Sequence, residues 1–212
     1  MHSEAGPEDR VVEPFIVYSL GRSRTYWLRQ FLSYGPWTVG FEELPKMRAL
    51  AEIEDFLLLP HFGSCETCGV IVWRTIQRYF PNHRKLVVTR SIEDILDGYN
   101  RVYHFKGDDW SVMRGWLRKF APDLDKISRL PNSLTVTFEE LSRREVCAKV
   151  FEFCLSRPFD QEWWEQWADK KIEVQPSWLL SYMREHRDQI ASFILACARV
   201  EQEDRACRSS AV

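Results

Sequence analysis

Residues 14–28, PFIVYSLGRSRTYWL, constrain this chain more than any other stretch. A short apolar run, Phe15 to Tyr18, reads as a buried strand. Gly21 then permits a sharp turn, and Ser23 or Thr25 can start a helix. A strand, a tight turn and a helix N-terminus together make an anion site. The free N–H groups point outward, and the helix dipole favours negative charge. Arg22 and Arg24 add side-chain donors that can clamp an oxyanion.

The same order recurs downstream. A helix is predicted from about Thr25 to Tyr34, ended by Gly35-Pro36, with a short strand over Trp37 to Phe41 and a helix over 46–55. Phe56 to Leu59 is predicted as the second strand, with His61 in the loop at its C-terminal end, and a helix then runs from about Cys65 to Tyr79. Lys85 to Thr89 and Ser133 to Phe138 are further strands. Helices are predicted over Ile92 to Phe105, from Asp108 or Asp109 to Phe120, over Glu139 to Cys154 and over Pro176 to Arg199; Asp160 caps the Trp163, Trp164, Trp167 segment. Repeated strand–loop–helix units imply right-handed crossovers and an α/β fold, a three-layer sandwich with a central, mainly parallel sheet covered by helices. The length of 212 residues suits one domain over 13–200, with a loose segment at 1–12 and a frayed tail from 201.

Composition bounds the partners. At 45% hydrophobic and 28% charged, the chain is expected to fold as a soluble protein. A formal charge of −2 gives no global basic bias towards nucleic acid. No apolar run reaches membrane length and the N-terminus does not resemble a signal peptide, so a cytoplasmic setting is expected. Cys65 and Cys68 form a lone C-x-x-C, open to a redox pair or to packing thiols, with packing favoured. Tyr103, Trp110 and Trp116 could line an acceptor pocket, although helical spacing favours core or lid packing.

The first loop lacks the spacing of a Walker A motif. It resembles instead the phosphosulfate loop of the sulfotransferases that use 3′-phosphoadenylyl sulfate (PAPS), whose pattern is near P-[KR]-S-G-[ST]-[ST]-W-L. Arg22 falls on the basic position, Ser23 on the serine, Thr25 on the first hydroxyl position and Trp27-Leu28 on the apolar pair. Gly21 replaces the proline, Arg24 the glycine and Tyr26 the second small hydroxyl residue. Lys85 to Asp94 is similar to the family's strand ending in an arginine, here Arg90, that holds the donor's 3′-phosphate; the serine eight positions on is Gly98 here. Val136 to Leu141 resembles a third family segment, and the likeness covers about residues 14–156.

This resemblance implies a P-loop-like, sulfotransferase-like fold and transfer of a sulfuryl group from PAPS to a hydroxyl or amine of a small molecule, with 3′-phosphoadenosine 5′-phosphate (PAP) as product and no metal. It implies donor contacts from Gly21, Arg22, Ser23, Arg24, Thr25, Tyr26, Arg90 and Gly98, and a catalytic role for Arg22. The base is open between His61, Glu42 and Glu43. Arg90 could instead pair with Asp94 or Glu93, and Ser23 could serve only the turn. Two other functions stand beside the first: nucleotide-dependent phosphoryl transfer, disfavoured by the missing Walker A lysine, and a catalytically inactive binding protein, which Tyr26 and Gly98 favour. The partners expected are an adenine nucleotide donor and a small-molecule acceptor, with no nucleic acid or membrane; oligomeric state is open, a homodimer included.

Overall fold

The computed structural model describes residues 13–47, 49, 51–103, 108–172, 181 and 185–209. In chain order the strands are β1 (Phe15–Ser19), β2 (Thr38–Phe41), β3 (Phe62–Glu66), β4 (Arg84–Thr89) and β5 (Ser133–Thr137). The helices are α1 (Thr25–Leu32), α2 (Ala51–Leu57), α3 (Gly69–Tyr79), α4 (Ile92–Tyr103), α5 (Asp108–Ser128), α6 (Arg144–Leu155), α7 (Gln161–Trp167) and α8 (Arg187–Ser209). The five strands form one parallel sheet in the order β2-β3-β1-β4-β5. Parallel neighbours need crossovers, and helices supply them, so both faces of the sheet are covered.

Side chains alternate across the pleat and separate two cores. Phe15 and Val17 of β1, with Leu86 and Val88 of β4, pack on one side against Trp27, Leu28 and Phe31 of α1 and Val150 and Phe151 of α6. Ile16, Tyr18 and Val87 pack on the other against α2, α3, α4, α5 and α8, through residues such as Ile53, Ile76, Ile95, Leu117 and Phe193. The result is the three-layer α/β sandwich that the strand–loop–helix order implies.

One strand is not where the sequence places it. Phe56 and Leu57 belong to α2, and Leu58 and Leu59 are exposed, while the strand is Phe62–Glu66. A short apolar run cannot be told from a buried helix segment by periodicity alone. The true strand reads FGSCE and is buried throughout. Gly63 is required there, since a Cβ would lie 2.2 Å from the ring of Phe15. This shift moves His61. It precedes β3 rather than following a strand, and its carbonyl accepts from the Thr38 N–H at the N-terminal edge of the sheet. The helix expected from Cys65 starts at Gly69 instead. Tyr79 ends that helix as expected. At the C-terminal end α8 runs to Ser209, beyond residue 201; the segment 1–12 and the start of the last helix at 176–180 lie outside the described residues.

Strand order places the ligand-binding edge. From β1 the chain crosses towards β2, on one side, and from β4 towards β5, on the other. The switch point therefore lies between β1 and β4, outside their C-terminal ends, where open α/β sheets bind ligands.

Candidate anion-binding cleft

At that switch point the loop after β1 bends through two left-handed residues. Arg22 has φ 62° and Arg24 has φ 61°. Alternation of this kind turns successive N–H groups into a concave nest that suits anions. The left-handed backbone at residue 24 also explains why the resembling pattern carries glycine there. Arg24 is the N-cap of α1, and its carbonyl accepts from the Leu28 N–H at 2.9 Å. No side chain among the described residues caps the helix, and its first turn holds no acid. The N–H groups of the first turn have no intrahelical acceptor, and the helix dipole favours negative charge there. Ser23 is buried, and its hydroxyl donates to the Gly21 carbonyl, closing the turn.

The loop opens onto a cleft of about 490 Å³. Gly21, Arg22, Ser23, Arg24, Thr25, Tyr26, Arg90, Gly98 and Glu42 all line it, so nine of the residues singled out from sequence meet in one place. Among the described residues its basic side chains are Arg22, Arg24, Arg90, Arg101, Lys170 and Lys171, against the carboxylate of Glu42. Arg24 also acts locally: Nη1 donates to the Leu141 carbonyl at 3.0 Å, and the guanidinium lies over Trp27 and Phe138. Arg90 lies flat on the Phe138 ring, 3.8 Å from its centroid, and donates through Nη1 to the Arg22 carbonyl. Its Nε is buried and finds no partner among the described residues. Burial pulls the Arg90 pKa down, with Asp94 and Glu139 opposing and Arg101 and Arg22 adding to the fall. Gly98 seats the stem of Arg22: a Cβ there would stand 3.2 Å from the Arg22 Cβ.

Glu42 follows β2 in the left-handed region, φ 49°. Its carboxylate accepts from the Thr67 N–H at 2.9 Å, the Thr67 hydroxyl at 2.5 Å and the Cys68 N–H at 3.3 Å. Burial pushes its pKa up, and the Thr67 and Cys68 hydrogen bonds pull it back. Beside it at the end of β3 is Glu66, whose Oε1 accepts from the Glu43 and Leu44 N–H groups and the Ser64 hydroxyl. Burial, and then the Glu42 charge, push Glu66 well above the usual carboxylate range.

The other two candidate bases are elsewhere. Glu43 turns away to Lys46, 2.8 Å distant, and does not line the cleft. His61 packs edge-on against Trp37 at the opposite edge of the sheet, the length of a strand away, roughly 16 Å. The C-x-x-C behaves as packing: Cys65 is inside β3, Cys68 precedes α3, and burial pushes both thiols well up, so neither is a ready thiolate. Trp116 joins the second core beside Phe120, and Trp163, Trp164 and Trp167 join the first; the Tyr103 and Trp110 side chains lie outside the described residues. Tyr99, Arg101, Thr67, Lys170 and Lys171 are cleft residues that the motifs did not single out, while Phe138 belongs to the Val136 to Leu141 segment that they did. Tyr99 and Arg101 follow Gly98 on α4, and that proximity was the available signal; Lys170 and Lys171 reach the cleft only through the tertiary fold.

No protein-family model matches the chain, and a comparison with curated proteins finds no match. Among solved structures, the crystal structure of a sulfotransferase from Alicyclobacillus acidocaldarius is similar at a TM-score of 0.52 and 12% identity, over 87% of this chain and 96% of that one. At that identity the likeness is one of fold, and this chain shares the α/β fold of a sulfotransferase.

Proposed function

We propose that this chain is a sulfotransferase that moves a sulfuryl group from PAPS to a hydroxyl or amine of a small molecule. The observation that carries the reading is the cleft's charge: among the described residues, six cationic side chains and an uncapped helix N-terminus line it beside one buried carboxylate. PAPS carries roughly four negative charges at neutral pH, which that surplus can balance. PAPS would supply the activated sulfuryl group and, as PAP, take the electron pair of the broken S–O bond. The residues 21–26 loop would hold the phosphosulfate through backbone N–H groups, the Arg22 guanidinium and the Thr25 hydroxyl, and give preorganised positive potential where charge develops. Arg90, with an unpaired buried Nε, would hold the 3′-phosphate. Glu42 would take the acceptor's proton as the acceptor atom bonds to sulfur; a carboxyl raised by burial suits that task. A reducing, cytoplasmic setting agrees with five described free cysteines.

Titration calorimetry with PAP, ADP and ATP tests the donor. PAP should bind at least tenfold more tightly than either; equal affinities would defeat the reading. A binding-only role has one observation in its favour. The Tyr26 ring packs edge-on against Phe41 with Arg29 over it, so a bulky aromatic is held in packing where the pattern has a small hydroxyl residue. PAP binding with no transfer to any acceptor would favour that role.

A further inference from the structure

We infer that the Tyr99 phenol is a ligand-binding donor of this cleft, its O–H bonding an anionic oxygen seated in the 21–25 loop. Tyr99 lies one turn along α4 from the buried Ile95, and its ring packs against the same core. An apolar body held in a core with a polar tip at a cavity is the arrangement in which a tyrosine serves recognition. The tip meets the loop at its first residue. A Cβ built on Gly21 would stand 1.8 Å from the Tyr99 Oη, so the phenol oxygen fills the space a side chain at 21 would take. Gly21 and Tyr99 are thus one steric unit, and both line the cleft.

The unit answers a chemical need of the site. Gly98 offers no side-chain donor and seats the Arg22 stem, and the Tyr26 ring is held in packing against Phe41. Tyr99 brings a hydroxyl to the loop from the residue next to Gly98. A phenol is neutral at pH 7 and donates one hydrogen bond in a fixed direction, adding specificity to a cleft whose other donors are mostly cationic.

This inference rests on the donor reading above, and the test keeps the two apart. Tyr99→Phe removes one oxygen and keeps the ring, so its ligand-free melting temperature should stay within a few degrees of the wild type. Its PAP affinity, read by calorimetry, should fall about tenfold, in line with one lost hydrogen bond to a charged group. Gly21→Ala supplies a second arm by evicting the phenol sterically, and it should also weaken PAP binding. Wild-type protein that ignores PAP would defeat the donor reading. Wild-type protein that binds PAP, with either variant binding it equally well, would overturn the role of Tyr99 alone.

Discussion

Glu42 sits between opposing influences. Burial raises its pKa, while two N–H groups and a hydroxyl from Thr67 and Cys68 favour its charged form. Those bonds also fix where the carboxylate lies, because its backbone is left-handed and the next two N–H groups are caught by Glu66. Glu42→Gln keeps the shape and removes the proposed base. The expected outcome is a loss of sulfuryl transfer of 100-fold or more with PAP affinity within about twofold of wild type, measured by product assay and calorimetry. A base works deprotonated, so wild-type activity should rise with pH through the raised Glu42 pKa and flatten above it. At this scale the sequence was partly legible. Arg22, Ser23 and Thr25 mark the bend that lines the cleft because turn chemistry is local. The choice between Glu42 and Glu43 is not local: it depends on where the register Phe41↔Cys65 ends β2 and on Lys46, which draws Glu43 aside.

At the scale of elements, β3 shows what local reading misses. The strand lies between β1 and β2, buried on both faces, and its composition follows from what crosses it. The Phe15 ring lies over Gly63 and packs against Trp37 at 5.4 Å, so a larger residue at 63 has no room. Gly63→Ala should destabilise the protein by about 1–3 kcal/mol, read from urea denaturation, because a fully buried ring must be displaced. A strand whose small residues answer to a neighbour 48 positions earlier cannot declare itself by hydrophobic pattern, whereas β1 and β4, with Val, Ile and Leu facing both cores, do so readily. The helix ends follow the same division. Asp160 caps α7 through the Trp163 N–H, as sequence alone indicates, while α1 begins without a side-chain cap, and that exception falls at the candidate site.

At the scale of the whole molecule, the buried polar groups beneath the sheet govern the response to acid. His83 is fully buried; its Nδ1 donates to the Phe80 carbonyl and its Nε2 accepts from the Tyr18 hydroxyl at 2.9 Å, which fixes the neutral tautomer. Burial, with Lys85 close by, lowers its pKa from 6.5 to about 3. Between those values the unfolded chain binds a proton that the native protein does not. The stabilisation is therefore complete above about pH 6.5 and is lost as pH falls towards 3, a span worth on the order of 5 kcal/mol. Glu42 and Glu66, with raised pKa values, act in the opposite sense as pH rises. Comparing wild type with His83→Gln by urea denaturation from pH 7.5 to 4 isolates the histidine; the variant's stability should fall less over that range. Lys85 is buried with Nζ donating to the Pro81, His83 and Pro131 carbonyls, and burial brings its pKa down to about 8.

The position of β1 at the centre of the sheet also sets an order of events. β1 precedes both of its neighbours in the chain, β3 and β4, which come from residues 62–89. Until β3 has been synthesised, the bend after β1 has no flanking strand on either side, and until β4 follows it has only one. The setting of that bend is thus completed only after the chain has crossed back past β1 from β3 to β4.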